Sequence, residues 1–456
     1  MRVAIIGAGY VGLTTAVVLA TLNHEVVAVE KDEGKLGVLH KGKTPIHEPG
    51  LQNLFDKVRD TIRFTPNVAE AVPEAEVILI TVGTPLKDGE ADTQHVKQAA
   101  IEIAQVCHPD RRYTLVIKST VPIGTNRRIA KIVEKVFSAR GLRGNVFVAS
   151  NPEFLQEGLA LLGAFYPDRI VVGTDCEEAV RALRRLYQPI LEQTFEPPSL
   201  LPRPVGYHLP PMVTTDPNSA EMLKYAANTF LALKISFINE IAGLCEKVGA
   251  DVTEVARGIG LDSRIGPRFL NAGLGWGGSC YPKDTAALLN VAAESEYTMP
   301  ITQAARAVNL RQRKHIIEKL ECALKTLKGK TIGILGLAFK PNTDDIREAP
   351  ALDIIRRLIE GGANVRAHDP AAIENARHAL NGFPVVFTSD VCELTHNADA
   401  LVLITEWDEY QNMDLGMLAK RMNTSLLIDG RNVYAPQEAH AAGFHYIGVG
   451  RRFDSE

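Results

Sequence analysis

The densest run of chemically capable residues is Gly275-Trp276-Gly277-Gly278-Ser279-Cys280-Tyr281-Pro282-Lys283-Asp284. Each glycine costs a helix or strand about 0.5–1 kcal/mol relative to alanine, so three close together are expected to let the backbone approach a bound molecule. Cys280 reads either as a packed thiol beside a tight turn or as a nucleophile, whose thiolate a nearby cation or helix N-terminus favours. Lys224 and Asn228 stand four residues apart in a helical segment and so share a face. They are either a snorkelling lysine and a capped amide or two donors aimed at an oxygen that becomes negative during reaction. A partly buried lysine also has a lowered pKa and can pass protons.

More polar residues stand where apolar strands end. Thr84 follows the strand at 77–82, Thr120 that at 114–117, and Glu153 and Glu157 that at 146–149. Singly, each reads as a loop or capping residue. In an open α/β sheet, ligands sit outside the carboxyl ends of the strands, so three such ends in succession read as one crevice. On a helix, Glu153 and Glu157 would repel each other by a few tenths of a kcal/mol.

The elements that must position these groups begin at the N-terminus. A strand at 2–7 runs into Gly7-Ala8-Gly9-Tyr10-Val11-Gly12, a helix to about Thr21, and a second strand at 25–30. This is the G-x-G-x-x-G fingerprint in a βαβ setting: Gly7 turns, Gly9 admits a pyrophosphate, and Gly12 lets helix pack on strand. The helix N-terminus then faces the phosphates. Glu30, 18 residues past Gly12, suits the adenosine ribose hydroxyls and favours NAD over NADP, a preference that Lys31 and Lys35 weaken.

The uncharged stretch 3–24 imitates a secretory signal or membrane span. Its glycines break that pattern, and a buried strand, turn and helix explain it better, so the chain reads as cytoplasmic with no membrane partner. Its 456 residues suggest roughly three domains. A net charge of −4 argues against nucleic-acid partners. The six cysteines are dispersed, without C-x-x-C or zinc-like spacing, which fits a reducing compartment and implies no metal.

The proline-rich stretch 189–217 reads as an irregular connection. A helix from about 219 to 248 then follows, apolar on nearly every face and hence buried, in part against a second copy of itself. The glycine-rich loop 259–273 carries Arg264 and Arg268, suited to phosphate or carboxylate, and a second helix spans about 301–327. The last third repeats the opening theme. A strand at 330–335 reaches Gly336, a helix follows at 350–361, and further strands lie at 364–368, 400–404 and 425–429. The third fingerprint glycine is missing, so this is a second doubly wound sheet without standard dinucleotide binding. Lys340 and Arg347 read as phosphate or cofactor contacts, or as ordinary surface cations. The fold class is α/β: two Rossmann-like doubly wound domains joined by a central helical region with a long helix. The expected boundaries are 1–205 (NAD-binding), 206–327 (central and dimerising, with Cys280) and 328–456 (C-terminal).

Taken with KSTVPIGT at 118–125, NPEFLQEG at 151–158, AEMLKYAANTFLALKISFINE at 220–240, GWGGSCYPKD at 275–284 and GLAFKPNTDDIREAP at 336–350, the fingerprint makes a pattern. Over almost its whole length the chain resembles the UDP-glucose/GDP-mannose dehydrogenase family, and within it the branch acting on UDP-glucose. The resemblance implies two successive NAD-linked oxidations of a sugar C6 alcohol to a carboxylate. Lys224, Asn228 and a water near Thr120 and Asp284 handle the proton and the developing oxyanion. Cys280 captures the aldehyde as a thiohemiacetal, and Glu153 is the candidate base for hydrolysis of the resulting thioester. Besides the fingerprint residues, Glu30, Lys35, Thr84, Thr120, Glu157, Lys283 and Arg347 would contact NAD. Glu153, Phe154, Leu155, Gln156, Glu157, Lys224, Asn228, Phe269, Leu270, Asn271, Ala272, Gly273, Gly277 and Lys340 would contact the UDP-sugar. Arg264 would reach the neighbouring subunit's substrate, implying at least a homodimer. Trp276, Tyr281, Ala349 and Glu30 depart from the common residues without removing a catalytic group. The competing readings are a GDP-mannose or UDP-N-acetylhexosamine 6-dehydrogenase, a single-step β-hydroxyacid dehydrogenase, and a non-catalytic NAD-binding regulator.

Overall fold

The computed structural model describes residues 1–87, 90–142 and 146–451, which fall into two compact units, Met1–Ala226 and Ala227–Glu456. The strands of the first unit are β1 (Arg2–Ile6), β2 (Glu25–Val29), β3 (Ile62–Thr65), β4 (Val77–Ile80), β5 (Leu86–Lys87), β6 (Glu90–Ala91), β7 (Tyr113–Ile117), β8 (Val146–Ser150), β9 (Ile170–Gly173) and β10 (Met212–Thr215). Eight of them form one sheet in the order β10-β9-β8-β7-β4-β1-β2-β3, and β5 and β6 make a separate hairpin. Its pairings are parallel except β8 with β9, which meet only at Ser150 and Gly173.

The central strands are apolar throughout because helices cover both faces. Side chains alternate along each strand. Ile5 and Leu79 therefore enter one core with Leu13, Phe55 and Leu183, while Ile6 and Ile78 enter the other with Ile103 and Ile129.

The 189–217 connection is more ordered than its prolines suggest. The helix Glu177–Glu192 takes in Pro189, and Met212–Thr215 pair in parallel with β9. Pro210 and Pro211 stand just before this edge strand, where a missing N–H costs little.

The long helix runs over Pro217–Val248. One face is buried through Tyr225, Ala232, Ile238 and Ala242. On the other face Phe230, Phe237 and Leu244 are 60, 48 and 58 % exposed in the single chain. Their seven-residue spacing makes one apolar stripe.

The second unit continues with helices Val252–Gly260, Tyr281–Glu294 and Pro300–Leu324. Its strands are β11 (Thr331–Leu335), β12 (Asn364–His368), β13 (Val385–Phe387), β14 (Ala400–Leu403), β15 (Leu426–Asp429) and β16 (His445–Gly448). They form an all-parallel sheet in the order β13-β12-β11-β14-β15-β16, the doubly wound order of a Rossmann sheet. Ile332, Ile334, Leu401, Leu403 and Ile428 fill its core with Ile316, Ile355 and Leu358. Among the described residues no helix is long and apolar enough to cross a membrane, and no group of His, Cys, Asp and Glu could hold a metal ion.

Candidate active site

The glycine turn has the shape a dinucleotide needs. Gly7 takes φ +101°, and its N–H donates to Val29 O at 2.8 Å. A Cβ on Gly12 would lie 1.8 Å from Gly7 O, whereas one on Gly9 would meet nothing within 4 Å. The helix Tyr10–Thr21 follows at once, without a side-chain cap or an acidic residue in its first turn, leaving donors for an anion. Val11 is in that first turn. Glu30, buried just past β2, accepts from Ala8 N at 3.2 Å and Asp32 N at 2.9 Å. Lys35 is exposed, and its backbone N–H bonds the capping Asp32. These residues fit the adenosine half of NAD.

The strand ends of the first unit do converge. Thr84 Oγ1 donates to Thr120 O at 2.8 Å, joining the end of β4 to that of β7. Glu153 and Lys224, from the loop after β8 and the long helix, pair at 3.2 Å with both side chains buried. Glu153 also accepts from Leu155 N at 2.6 Å. Burial alone would raise its pKa, but Lys224, the Leu155 N–H and Lys118 outweigh it and hold the carboxyl below its usual range. Two cations lie against the Phe154 ring: the Arg169 guanidinium 3.8 Å and the Lys224 ammonium 5.3 Å from its centre. Gln156 is exposed and Glu157 half-buried. Residues 151–156 have no regular structure, so the helical repulsion expected between Glu153 and Glu157 does not arise.

Three buried charges around these groups escape the sequence reading. Lys118 is buried, which pushes its pKa down to about 8, and it donates to Asn151 Oδ1 at 3.2 Å. Glu48 accepts from the Tyr10 hydroxyl and from Gly158 N and Ala160 N, both at 2.7 Å. Glu221 accepts from Gly124 N and Asn126 N. Of the three, Lys118 stands in the 118–125 motif and Glu221 in the 220–240 motif, whereas Glu48 stands in neither. A carboxylate that serves distant backbone N–H groups has no local pattern to betray it.

In the second unit, Cys280 is the residue before the helix Tyr281–Glu294, with Pro282 in the first turn. Its Sγ lies 3.6 Å from Ser279 Oγ, and it is partly exposed. One turn on, Asp284 is fully buried. It accepts from Asn228 Nδ2 at 2.6 Å and Lys283 Nζ at 2.6 Å, so both partners, widely separated in sequence, serve one carboxylate.

The glycines before Cys280 are also required by the chain itself. Their missing Cβ atoms make room for the chain itself. A Cβ would fall 2.2 Å from Asn309 Oδ1 at Gly275, 2.3 Å from Glu348 O at Gly277 and 2.7 Å from the Phe339 ring at Gly278. Asn309 accepts from Trp276 N and donates to Trp276 O, and Gly278 N donates to Arg347 O at 2.9 Å. The cysteine loop is thus held by the helix Pro300–Leu324 and by the 336–350 segment. The Arg347 side chain lies mostly in solvent, forked onto Asp345, and the half-buried Lys340 stands beside the Phe339 ring.

The remaining expected substrate residues lie nearby in sequence. Arg264 is 87 % exposed and forks onto Asp262. Phe269 adopts φ +66°, Leu270 and Ala272 are buried, and Asn271 is exposed. Gly273 N donates to Asn239 Oδ1 at 2.8 Å.

The dinucleotide turn of the first unit is the signature of a nicotinamide-cofactor enzyme. Residues 1–191 match the NAD binding domain of the UDP-glucose/GDP-mannose dehydrogenase family, 218–311 its central domain and 333–436 its UDP binding domain; the chain belongs to that family. It is 43 % identical over 453 residues to UDP-glucose 6-dehydrogenase TuaD of Bacillus subtilis, covering 99 % of this chain and 93 % of that one. It is equally 43 % identical over 457 residues to the UDP-glucose 6-dehydrogenase of Rhizobium meliloti, covering 99 % and 100 %. Among solved structures, a UDP-glucose dehydrogenase from Pyrobaculum islandicum superposes with a TM-score of 0.86 at 36 % identity, covering 98 % of this chain and 97 % of that one.

Proposed function

We propose that the protein oxidises C6 of UDP-glucose to the carboxylate of UDP-glucuronate in two NAD-linked steps through covalent capture on Cys280. The observation that carries this reading is Cys280 at a helix start, one turn from a buried Asp284 that Asn228 and Lys283 both serve. A single alcohol oxidation has no use for such a thiol. Bound NAD supplies the hydride acceptor for each step. Lys224, paired with Glu153, stabilises negative charge growing on the C6 oxygen. Asn228 holds Asp284 in place and adds a donor. The Cys280 thiolate adds to the aldehyde carbon to give the alkoxide of a thiohemiacetal, which collapses to a thioester as its hydrogen leaves as a second hydride. Water then cleaves the thioester, with the Glu153 carboxylate as base.

Lys340, Arg347 and the 269–273 loop are read as holding the UDP-sugar. The exposed stripe of Phe230, Phe237 and Leu244 supports pairing of two long helices in a homodimer or larger assembly, with Arg264 reaching the neighbouring substrate. Six dispersed cysteines support a cytoplasmic setting.

The test is stoichiometric. Purified protein with limiting UDP-glucose should yield two NADH per sugar; one per sugar would support the single-step reading. Parallel assays with GDP-mannose and UDP-N-acetylhexosamines decide the sugar. Cys280→Ser is expected to lower uronate formation at least ~10³-fold with NAD affinity nearly unchanged. Undiminished uronate would remove the thiol from the mechanism.

A further inference from the structure

The helix Thr125–Ala139 starts without a cap of its own. The residue before it is Gly124, at φ +84°, and its first turn holds no acidic residue. Its leading N–H groups need an acceptor, and they find one on the long helix. Glu221 Oε2 accepts from Gly124 N at 2.6 Å and Oε1 from Asn126 N at 2.7 Å. Glu221 is 3 % exposed and stands three residues before Lys224.

The same carboxylate lines a small cavity together with Ser119, Thr120, Ser150 and Lys224. The room for a water's centre is about 10 Å³, enough for about one molecule. Ser150 is 2 % exposed, and its Oγ has no hydrogen-bond partner among the described residues. With Ser119 donating to Val82 O, the hydroxyls of Thr120 and Ser150, an ammonium and a carboxylate remain, the partners a buried water requires.

We propose that Glu221 is the proton acceptor of the oxidation, reached from the substrate oxygen through one water held by Ser150, Thr120 and Lys224. The proposal rests on the reading of Lys224 given above. Oxidising the C6 alcohol breaks a C–H and an O–H bond. The electron pair leaves with the C6 hydrogen as hydride and reduces NAD, and the hydroxyl proton must go elsewhere. It passes to the cavity water, which hands one of its own protons to Glu221, and Glu221 later loses it to solvent. Lys224 remains an ammonium throughout.

The charges facing Glu221 support the assignment. Arg128, on the capped helix, is the charge acting on Glu221; Lys224, on the long helix, lines the same cavity, and Glu153 and Lys118 act on each other and on Lys224. Burial pushes the Glu221 carboxyl up to about 7, against the two N–H bonds and Arg128, and an acceptor works best near the working pH. Glu153, held ionised by its cations, is a poorer acceptor.

The test compares wild type with Glu221→Gln in NADH production from UDP-glucose across pH. Wild type should lose activity as pH falls through about 7, because the acceptor becomes protonated. In Glu221→Gln that acid limb should vanish, with kcat about tenfold lower at high pH and KM for UDP-glucose unchanged. A carboxylic-acid infrared band titrating near 7 in substrate-free wild type should be missing from the variant. An intact acid limb and wild-type kcat in Glu221→Gln would overturn the proposal. A wild type that makes no NADH from any sugar nucleotide would overturn the dehydrogenase reading and the proposal together, which separates the two failures. Should Glu221→Gln fail to fold, Ser150→Ala decides, since it leaves the helix cap in place. About threefold lower kcat at unchanged KM supports the water path, and wild-type kcat overturns it.

Discussion

The two sheets begin with the same turn and put it to opposite uses. Gly7 and Gly336 have φ +101° and +100°. Each donates its N–H to the last residue of the neighbouring strand, Val29 or His368, at 2.8 and 2.9 Å. An acidic residue follows that strand in both units, Glu30 after β2 and Asp369 after β12. The difference is what meets the N–H groups beyond the glycine. In the first unit a helix begins at Tyr10, and Glu30 takes only Ala8 N from the turn. In the second no helix begins until Pro350. Asp369 reaches back to Leu337 N at 2.7 Å and Ala338 N at 3.0 Å, and also serves Ala371 N, Ala372 N and the Trp407 indole. One turn therefore keeps its donors for a ligand, and the other spends them on its own carboxylate. A pyrophosphate at Gly336 would have to displace a buried anion with five donors. A Rossmann sheet alone is thus no evidence of dinucleotide binding; the partners of the turn's N–H groups decide it.

The largest expected effect comes from removing that internal anion. Asp369→Ala strands several buried donors and should cost at least ~3 kcal/mol. This lowers the melting temperature of the C-terminal unit by roughly 6–12 °C, with NAD affinity unchanged. A calorimetric scan showing no loss would mean the carboxylate does not close the turn. Next is Gly12→Ala, whose Cβ would fall 1.8 Å from Gly7 O. It should weaken NAD binding on the order of 100-fold, about 2.7 kcal/mol, as read by isothermal titration. Near-normal affinity would place the pyrophosphate elsewhere. The smallest is Glu30→Gln, expected to lower NAD affinity about tenfold, or ~1.4 kcal/mol, to improve NADP binding and to leave the melting temperature within a degree or two. A large drop in melting temperature would give Glu30 the structural role of Asp369 and erase the contrast.

Much of this was legible in the chain. The βαβ start, the strands ending at Thr84, Thr120 and Glu153, and the lysine–asparagine spacing all follow from local periodicity and turn chemistry. The 275–278 glycines were legible as a necessity, but not the contacts within the chain that also require them. Only the packed fold shows Asn309, Glu348 and Phe339 standing where Cβ atoms would be. The strand at 212–215 was hidden by flanking prolines, since edge pairing depends on a neighbour and not on local propensity.

Residue order alone determined the two doubly wound sheets and the cofactor turn, because each is written within a few turns of chain. The tertiary structure decided where the buried charges go. Glu48, Glu221 and Asp369 bind backbone N–H groups brought near them by folding. A carboxylate pays its desolvation cost wherever the fold supplies donors, and nothing in the neighbouring residues announces where that is.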